Sequence, residues 1–281
     1  MTERRASSTA ASVAWFHAAH QVLDSEPRIL DDPMICRLMD VTPAGIIQLS
    51  ERFQAPWARA LRAHVVTRTR FAEDALASAA TLGVRQYVVL GAGMDTFAYR
   101  QPAWARDVHV FEVDQPGTQA TKRQRVAAAG LAVPENVSYV AIDFESESLA
   151  DGLRRGGVRL NESAVFAWLG VTMYLTEPAI DAVLGTVAAL PRPSEIVFTF
   201  AQPRTADDDT GGGPSLADLA AASGEPWVTY FEPEALERKL RGLGFGTIRL
   251  LTPPEAEMRY FQNRLDGLPA PRRTTIVSAA V

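Results

Sequence analysis

The sequence predicts a doubly wound, seven-stranded α/β sheet of the Rossmann-like kind, with an N-terminal helical cap and a lid insertion. Three observations carry this. From Arg85 onward, short apolar runs alternate with helical patterns. The first run, in YVVLGAGMDTFAYR (Tyr87–Arg100), passes straight into Gly91-Ala92-Gly93, as a buried parallel strand does when it stops at a tight turn. Two later runs end in acids, Asp114 in HVFEVDQP and Asp143 in YVAIDFES.

The elements follow in order. Val13, Trp15, Phe16, Ala19, Val22 and Leu23 make a helical pattern over about Ser12–Leu23, and Pro27 breaks it. A short helix fits Met34–Met39, before Pro43. Trp57, Leu61, Val65, Phe71 and Leu76 share one face of a long helix from Pro56 to Leu82. Residues 1–82 are thus expected to form a helical cap, and 83–281 the nucleotide-type domain. Strands are expected at Arg85–Leu90, Val108–Val113, Val137–Ile142, Ala164–Leu169, Glu195–Phe200, Phe245–Leu251 and Thr274–Val281. Between them, helices fit Thr118–Ala129, Ser146–Arg155, Pro178–Leu190 and Glu232–Arg241. Met94–Arg100 reads as a loop or the start of a helix. Gln202–Trp227, with DDDTGGG inside it, interrupts the alternation after a strand end. It is expected to be a lid hinged at Gly211–Gly213. Metal binding by Asp207, Asp208 and Asp209 is disfavoured, because adjacent aspartates cannot all point inward.

Composition limits the function. The chain has 281 residues, 47% of them hydrophobic, enough for one large domain or a domain with a cap. A net charge of -5 argues against a general nucleic-acid binder. The single cysteine, Cys36, excludes an intrachain disulfide and a thiolate zinc cluster. The N-terminus, MTERRASSTAAS, leads into no apolar core of signal-peptide length, and no run approaches a membrane span. A soluble, cytoplasmic protein with no membrane partner is expected.

The glycine turn suits close approach of a ligand to the backbone, because Gly91 and Gly93 carry no Cβ. The third glycine of the dinucleotide fingerprint is absent, with Thr96 in its place. Asp114 lies about twenty residues beyond the turn, where this kind of fold places an acid on ribose hydroxyls. Asp114 also suits a helix N-cap. Asp143 can accept from an adenine amino group while Phe144 covers the ring, or it can cap the next helix.

YVVLGAGMDTFAYR, VFEVDQP, VAIDFES and AWLGVTMYLT resemble the leucine carboxyl methyltransferase family. The bacterial branch, which includes polyketide O-methyltransferases of the tetracenomycin type, is the better match, and RILDDPMICRLM and VVTRTRFAEDAL resemble that branch too. The resemblance implies a class I methyltransferase sheet and S-adenosyl-L-methionine as cofactor. It implies cofactor contacts from Gly91, Gly93, Asp114, Gln115, Asp143 and Phe144, and from the position of Leu169. It also implies that an arginine of TRTRF, Arg68 ahead of Arg70, grips the methionine carboxylate, for which a guanidinium offers a bidentate fork.

Two positions depart from the pattern. Leu169 stands where many relatives have a glutamate for the cofactor amino group, leaving backbone carbonyls, Glu112 or Asp95 for that task. Phe97 stands where relatives often have arginine. The acceptor is expected to be a carboxylate or hydroxyl of a small molecule or a flexible chain end. His64, Tyr174 and Tyr230 are the candidate bases, and none has a sequence context that makes it catalytic. The alternatives are an NAD-dependent oxidoreductase and a non-catalytic cofactor binder on the same fold. Asp143 and the missing glycine argue against the first, and Leu169 keeps the second open.

Overall fold

The computed structural model describes residues 8–144, 146–203 and 216–281. Five helices precede the sheet: α1 (Ser8–Leu23), α2 (Pro33–Leu38), α3 (Pro43–Gln48), α4 (Ser50–Gln54) and α5 (Pro56–Thr81). The next elements are β1 (Gln86–Leu90), β2 (His109–Asp114), α6 (Pro116–Ala128), β3 (Val137–Ala141), α7 (Leu149–Arg155), β4 (Val165–Trp168), α8 (Glu177–Ala188) and β5 (Glu195–Thr199). The chain continues with α9 (Leu216–Ala222), α10 (Pro233–Gly242), β6 (Thr247–Leu250), α11 (Pro253–Ala256) and β7 (Ile276–Ala280). Proline opens α2, α3, α5, α6, α10 and α11, where its fixed φ is pre-set and its missing N–H leaves nothing unpaired.

The sheet has seven strands in the order β3-β2-β1-β4-β5-β7-β6. The first five pair in parallel, and β7 runs antiparallel to both neighbours. Strand order reverses between β1 and β4, the place where open α/β sheets bind ligands. All of β1 is buried, as its unbroken apolar run requires. Its one polar side chain, Gln86, is satisfied: Nε2 donates to the Arg159 carbonyl at 3.0 Å, and Oε1 accepts from the Arg159 N–H at 2.8 Å.

Alternate strand residues feed two cores. Val88, Leu90, Phe111, Val113, Phe166, Trp168, Ile196 and Phe198 pack with Leu153 of α7, Ile180 and Leu184 of α8, and Leu236 and Leu240 of α10. The opposite face, with Tyr87, Val89, Val110, Val165, Ala167 and Val197, packs with Phe71, Ala72, Leu76 and Ala79 of α5. The earlier part of the same helix, including Leu61, Val65 and Val66, belongs to a third cluster with α1, α2 and α3. Helix α5 therefore spans the cap core and one face of the sheet.

The structure departs from the sequence reading in three places. No α-helix follows β1. Two 3-10 turns, Phe97–Tyr99 and Ala103–Ala105, replace it, and α5 covers the sheet face there. Helices α3 and α4 escape the periodicity argument because six and five residues are too few to show a period. A π-helical turn at Glu257–Phe261 follows α11. The proposed lid hinge, Gly211–Gly213, and Asp207–Asp209 lie outside the described residues. No helix among the described residues is long and apolar enough to cross a membrane.

A buried ion pair holds the cap together. Arg62 forks Asp24, with Nε to Oδ2 at 2.7 Å and Nη2 to Oδ1 at 2.8 Å, and Nη1 donates to the Phe53 carbonyl at 2.7 Å. His20 Nδ1 lies 2.7 Å from the same carboxylate. Burial pushes the Asp24 carboxyl up, but the bonds from His20 and Arg62 outweigh it and leave the value lowered. Arg62→Leu should therefore destabilise the fold by about 3–5 kcal/mol, the usual cost of stranding one partner of a buried pair. A carboxylate with a lowered folded value contributes its stability above about pH 4 and loses it as pH falls further. The gap between variant and wild type in urea unfolding should then shrink in acid. The double variant Arg62→Leu with Asp24→Asn should recover part of the loss.

Candidate active site

A cavity of about 750 Å³ opens at the carboxyl ends of β1, β2 and β4. Its size falls in the usual range for small-molecule sites. The sheet supplies Gly91, Ala92, Gly93, Asp114, Gln115, Phe144, Leu169 and Gly170, and the cap supplies Ala10, Val13, His17, Asp32 and Arg68. Tyr174 and the turn Ser223–Pro226 complete the wall.

The glycine turn has the conformation its residues suggested. Gly91 has φ +66°, and a Cβ there would lie 2.4 Å from Val171 Cγ2, so only glycine fits. Gly93 lies under α1, where an added Cβ would stand 3.2 Å from Ala10 Cβ. Asp114 fixes this turn. Its Oδ2 accepts the Gly93 N–H at 2.6 Å and its Oδ1 accepts the Gln115 N–H at 2.7 Å. Burial raises the Asp114 carboxyl while these two N–H groups act against the rise. Each oxygen keeps a second lone pair for a ligand hydroxyl.

Arg68 is the centre of charge. It lies on α5 between the part in the cap core and the part on the sheet, and it lines the cavity. Burial lowers its guanidinium to about 10, while Tyr174 and Asp95 nearby favour the charge. Among the described residues none hydrogen-bonds or ion-pairs with it, and its buried Nε has no partner. Room for the guanidinium comes from Gly170, at φ +76°, where a Cβ would sit 2.8 Å from Nη1. Arg70, the other candidate, is exposed and is bonded through Nε to Asp74 Oδ1 at 2.7 Å. The two arginines are thus separated by geometry: one faces the cavity unpaired, the other is a paired surface residue.

The remaining predicted residues divide. Gly91, Gly93, Asp114, Gln115, Phe144 and Leu169 come together with Arg68 around the cavity. Asp143 does not line it: the residue is half-buried, and its N–H donates to Glu147 Oε1 at 3.3 Å, beside the wall that Phe144 forms. Glu112, considered for a ligand ammonium, also lies away from the cavity, buried 2.7 Å from Lys122 Nζ. Burial pushes its carboxyl up to about 7, against the pull of Lys122. Asp95 does line the cavity, and its Oδ1 accepts the Phe97 N–H at 2.8 Å. Phe97 is fully buried, edge-on to Tyr87 at 5.0 Å, and fills core space.

Of the possible bases, Tyr174 lines the cavity while His64 and Tyr230 do not. Burial and the Arg68 charge hold the His64 imidazole down at about 3. The sequence reading missed His17, whose helix pattern looked like core. It also missed the network joining cap and sheet beside the cavity. Thr96 Oγ1 donates to Asp32 Oδ2 at 2.6 Å, Arg100 Nε donates to Thr96 Oγ1 at 3.0 Å, and the Arg100 guanidinium forks Glu73. Among the described residues no group of His, Cys, Asp and Glu side chains could hold a metal ion.

Comparison with known proteins agrees with this geometry. The sequence model described as leucine carboxyl methyltransferase matches residues 10–188. A Bacillus subtilis (strain 168) protein named as an S-adenosyl-L-methionine-dependent methyltransferase, YktD, is 34% identical over 208 residues, covering 73% of this chain and 68% of its own. A similarly named protein of Mycolicibacterium paratuberculosis is 35% identical over 158 residues, which is 55% of this chain and 49% of that one, about half its length. Among solved structures, a DUF574 family protein from Streptomyces avermitilis overlays with a TM-score of 0.54 at 19% identity, covering 96% of this chain and 95% of that one. At that identity the likeness is one of fold.

Arg68→Met separates a ligand role from a structural one. Removing an unpaired, partly desolvated charge should leave the thermal midpoint of the free protein unchanged or raised. Affinity for S-adenosylhomocysteine should fall by about 1.5–3 kcal/mol, the range for hydrogen bonds to charged groups. A large drop in stability with unchanged affinity would assign Arg68 to the scaffold.

Proposed function

The chain belongs to the leucine carboxyl methyltransferase family, and on that premise we propose that it transfers the methyl group of S-adenosylmethionine to an oxygen of a small molecule or of a flexible chain end. The observation that carries the reading is the unpartnered Arg68 guanidinium facing a cavity at the switch in strand order. A cation so placed calls for an anionic ligand group, and the carboxylate of an amino-acid cofactor supplies one.

The donor set fits the cofactor from end to end. Arg68 would hold the carboxylate and Asp95 the ammonium, with Asp114 on the ribose hydroxyls and Phe144 on the adenine face. Leu169 would add apolar contact and a backbone carbonyl in place of a charged partner. When bound, S-adenosylmethionine supplies an electrophilic methyl group on a sulfonium centre. The protein's own contribution is alignment of the acceptor and exclusion of water.

Two chain segments that meet beside the cavity support a role in excluding water. Both the backbone N–H and the Oγ1 of Thr9, at the start of α1, donate to Glu225 Oε2 in the turn after α9, the first at 3.2 Å. Both residues line the cavity. The turn after α9 thus meets the first turn of α1 beside the cavity, and a cavity of about 750 Å³ suits a small acceptor or a narrow chain end.

Calorimetry tests the cofactor: S-adenosylhomocysteine should bind and NAD should not. Binding of NAD alone would replace the reading with an oxidoreductase. Hydrogen exchange tests the closure. Amides of residues 9–17 and 223–228 should exchange more slowly with S-adenosylhomocysteine bound, and equal rates in both states would remove the closure from the account.

A further inference from the structure

Helix α1 turns one face to the cavity. Ala10, Val13, Ala14 and His17 follow the i, i+3, i+4, i+7 spacing of a single stripe, and all four line the wall. Three are small or apolar, and the fourth is an imidazole at the inner end of the stripe. His17 is only 9% exposed. Among the described residues none hydrogen-bonds to its ring nitrogens.

His20, nearly one turn further on, is the informative contrast. Its Nδ1 meets Asp24 Oδ2 at 2.7 Å and its Nε2 accepts the Leu30 N–H at 3.4 Å. Both ring nitrogens of that core histidine are occupied by protein. Those of His17 are left to whatever enters the cavity, and buried polar groups are ordinarily bonded.

Resting on the oxygen-methylation reading above, we propose that His17 is the proton acceptor for the methyl acceptor, and that the acceptor is therefore an acidic hydroxyl of the phenol or enol type rather than a carboxylate. A carboxylate already carries its nucleophilic lone pairs unprotonated at neutral pH and needs no base. A hydroxyl needs one.

The surroundings of His17 select among hydroxyls. Arg68 of α5, Arg100 beyond β1 and His20 of α1 act on its ring, and burial with these neighbours pushes the imidazole well below its ordinary value. Asp32, ahead of α2, faces the same cavity but is bonded to Thr96 and lies beside Arg100. The ring is thus neutral and has a free lone pair at physiological pH. A base so weakened can assist only a hydroxyl that is itself acidic, such as a phenol near 10. A carboxylate bound on Arg68 would cancel one of the two guanidinium charges and restore part of the ring's basicity.

In the step assigned to His17, the acceptor O–H bond breaks and its electron pair stays on oxygen. The proton forms an N–H bond on the free ring nitrogen, and the resulting imidazolium later returns it to solvent.

The test uses 4-nitrophenol as the hydroxyl probe and 4-nitrobenzoate as its carboxylate counterpart, each added to the full chain with S-adenosylhomocysteine. Ring ¹⁵N resonances report hydrogen bonding at the His17 ring. In wild type the phenol should bind with its O–H on the neutral His17 ring and shift the ring ¹⁵N resonances, and 4-nitrobenzoate should leave them unmoved. Methylation of 4-nitrophenol from S-adenosylmethionine should fall about 100-fold in His17→Gln, as for loss of a general base. His17→Asn should behave like His17→Gln. Both variants should keep S-adenosylhomocysteine affinity within about twofold, with the same thermal shift on binding, since the cofactor contacts assigned above do not include His17. An unmoved His17 resonance with 4-nitrophenol bound, or methylation of 4-nitrophenol by His17→Gln at the wild-type rate, overturns the proposal. Failure of wild type to bind S-adenosylhomocysteine overturns the underlying methyl-transfer reading instead.

Discussion

The Arg68 guanidinium sits where two hydrophobic cores meet, and no described residue hydrogen-bonds or ion-pairs with it. A charge in that position is tolerable only because several features keep it in place. Helix α5 cannot rotate, since Leu61, Val65 and Val66 are held in the cap while Phe71, Ala72 and Leu76 are held against the sheet. Gly170 leaves the space beside Nη1 open. The result is a half-buried cation held in place at the cavity wall before any ligand arrives. Pre-arranged electrostatics of this kind are stronger than the same pair formed on a surface.

The cap is tied to the sheet by polar as well as apolar contacts. Asp32 caps α2 through the Ile35 N–H at 3.1 Å while its other oxygen accepts from Thr96 in the segment after β1. Arg100 closes the loop by forking Glu73 of α5. Three parts of the chain thus share one network at the edge of the cavity. Arg100 is satisfied by it, which leaves Arg68, among the described arginines of the cavity wall, available to a ligand.

The sheet and the glycine turn were legible because their signals are local. An apolar run followed by Gly-x-Gly leaves few backbone options, and Asp114 at the end of the next buried strand has to face the ligand edge. TRTRF ranks Arg68 ahead of Arg70 without excluding either, because two residues along a helix turn the side chain through about 200°, and only the packed helix shows which side is inside. The function of Gly170 was invisible, since its neighbour in space is a hundred positions away in sequence. His17 was hidden for a different reason: a helix that lines a cavity and a helix that lines a core have the same apolar stripe. Of the Asp143–Phe144 pair, Phe144 lines the cavity wall and Asp143 lies beside it.

The connection from β1 to β2 contains two 3-10 turns and no α-helix. The layer that such a helix would provide comes instead from α5, encoded before the first strand, with Phe71 and Leu76 in the same cluster as Tyr87, Val89 and Phe97. The sheet therefore borrows its covering from the segment that also roofs the ligand cavity. A fragment trimmed to begin at β1 would expose an apolar sheet face, so the N-terminal helices cannot be exchanged wholesale to alter acceptor choice. Helix α5 is thus shared between the cavity wall, through Arg68, and the covering of the sheet, through Phe71 and Leu76.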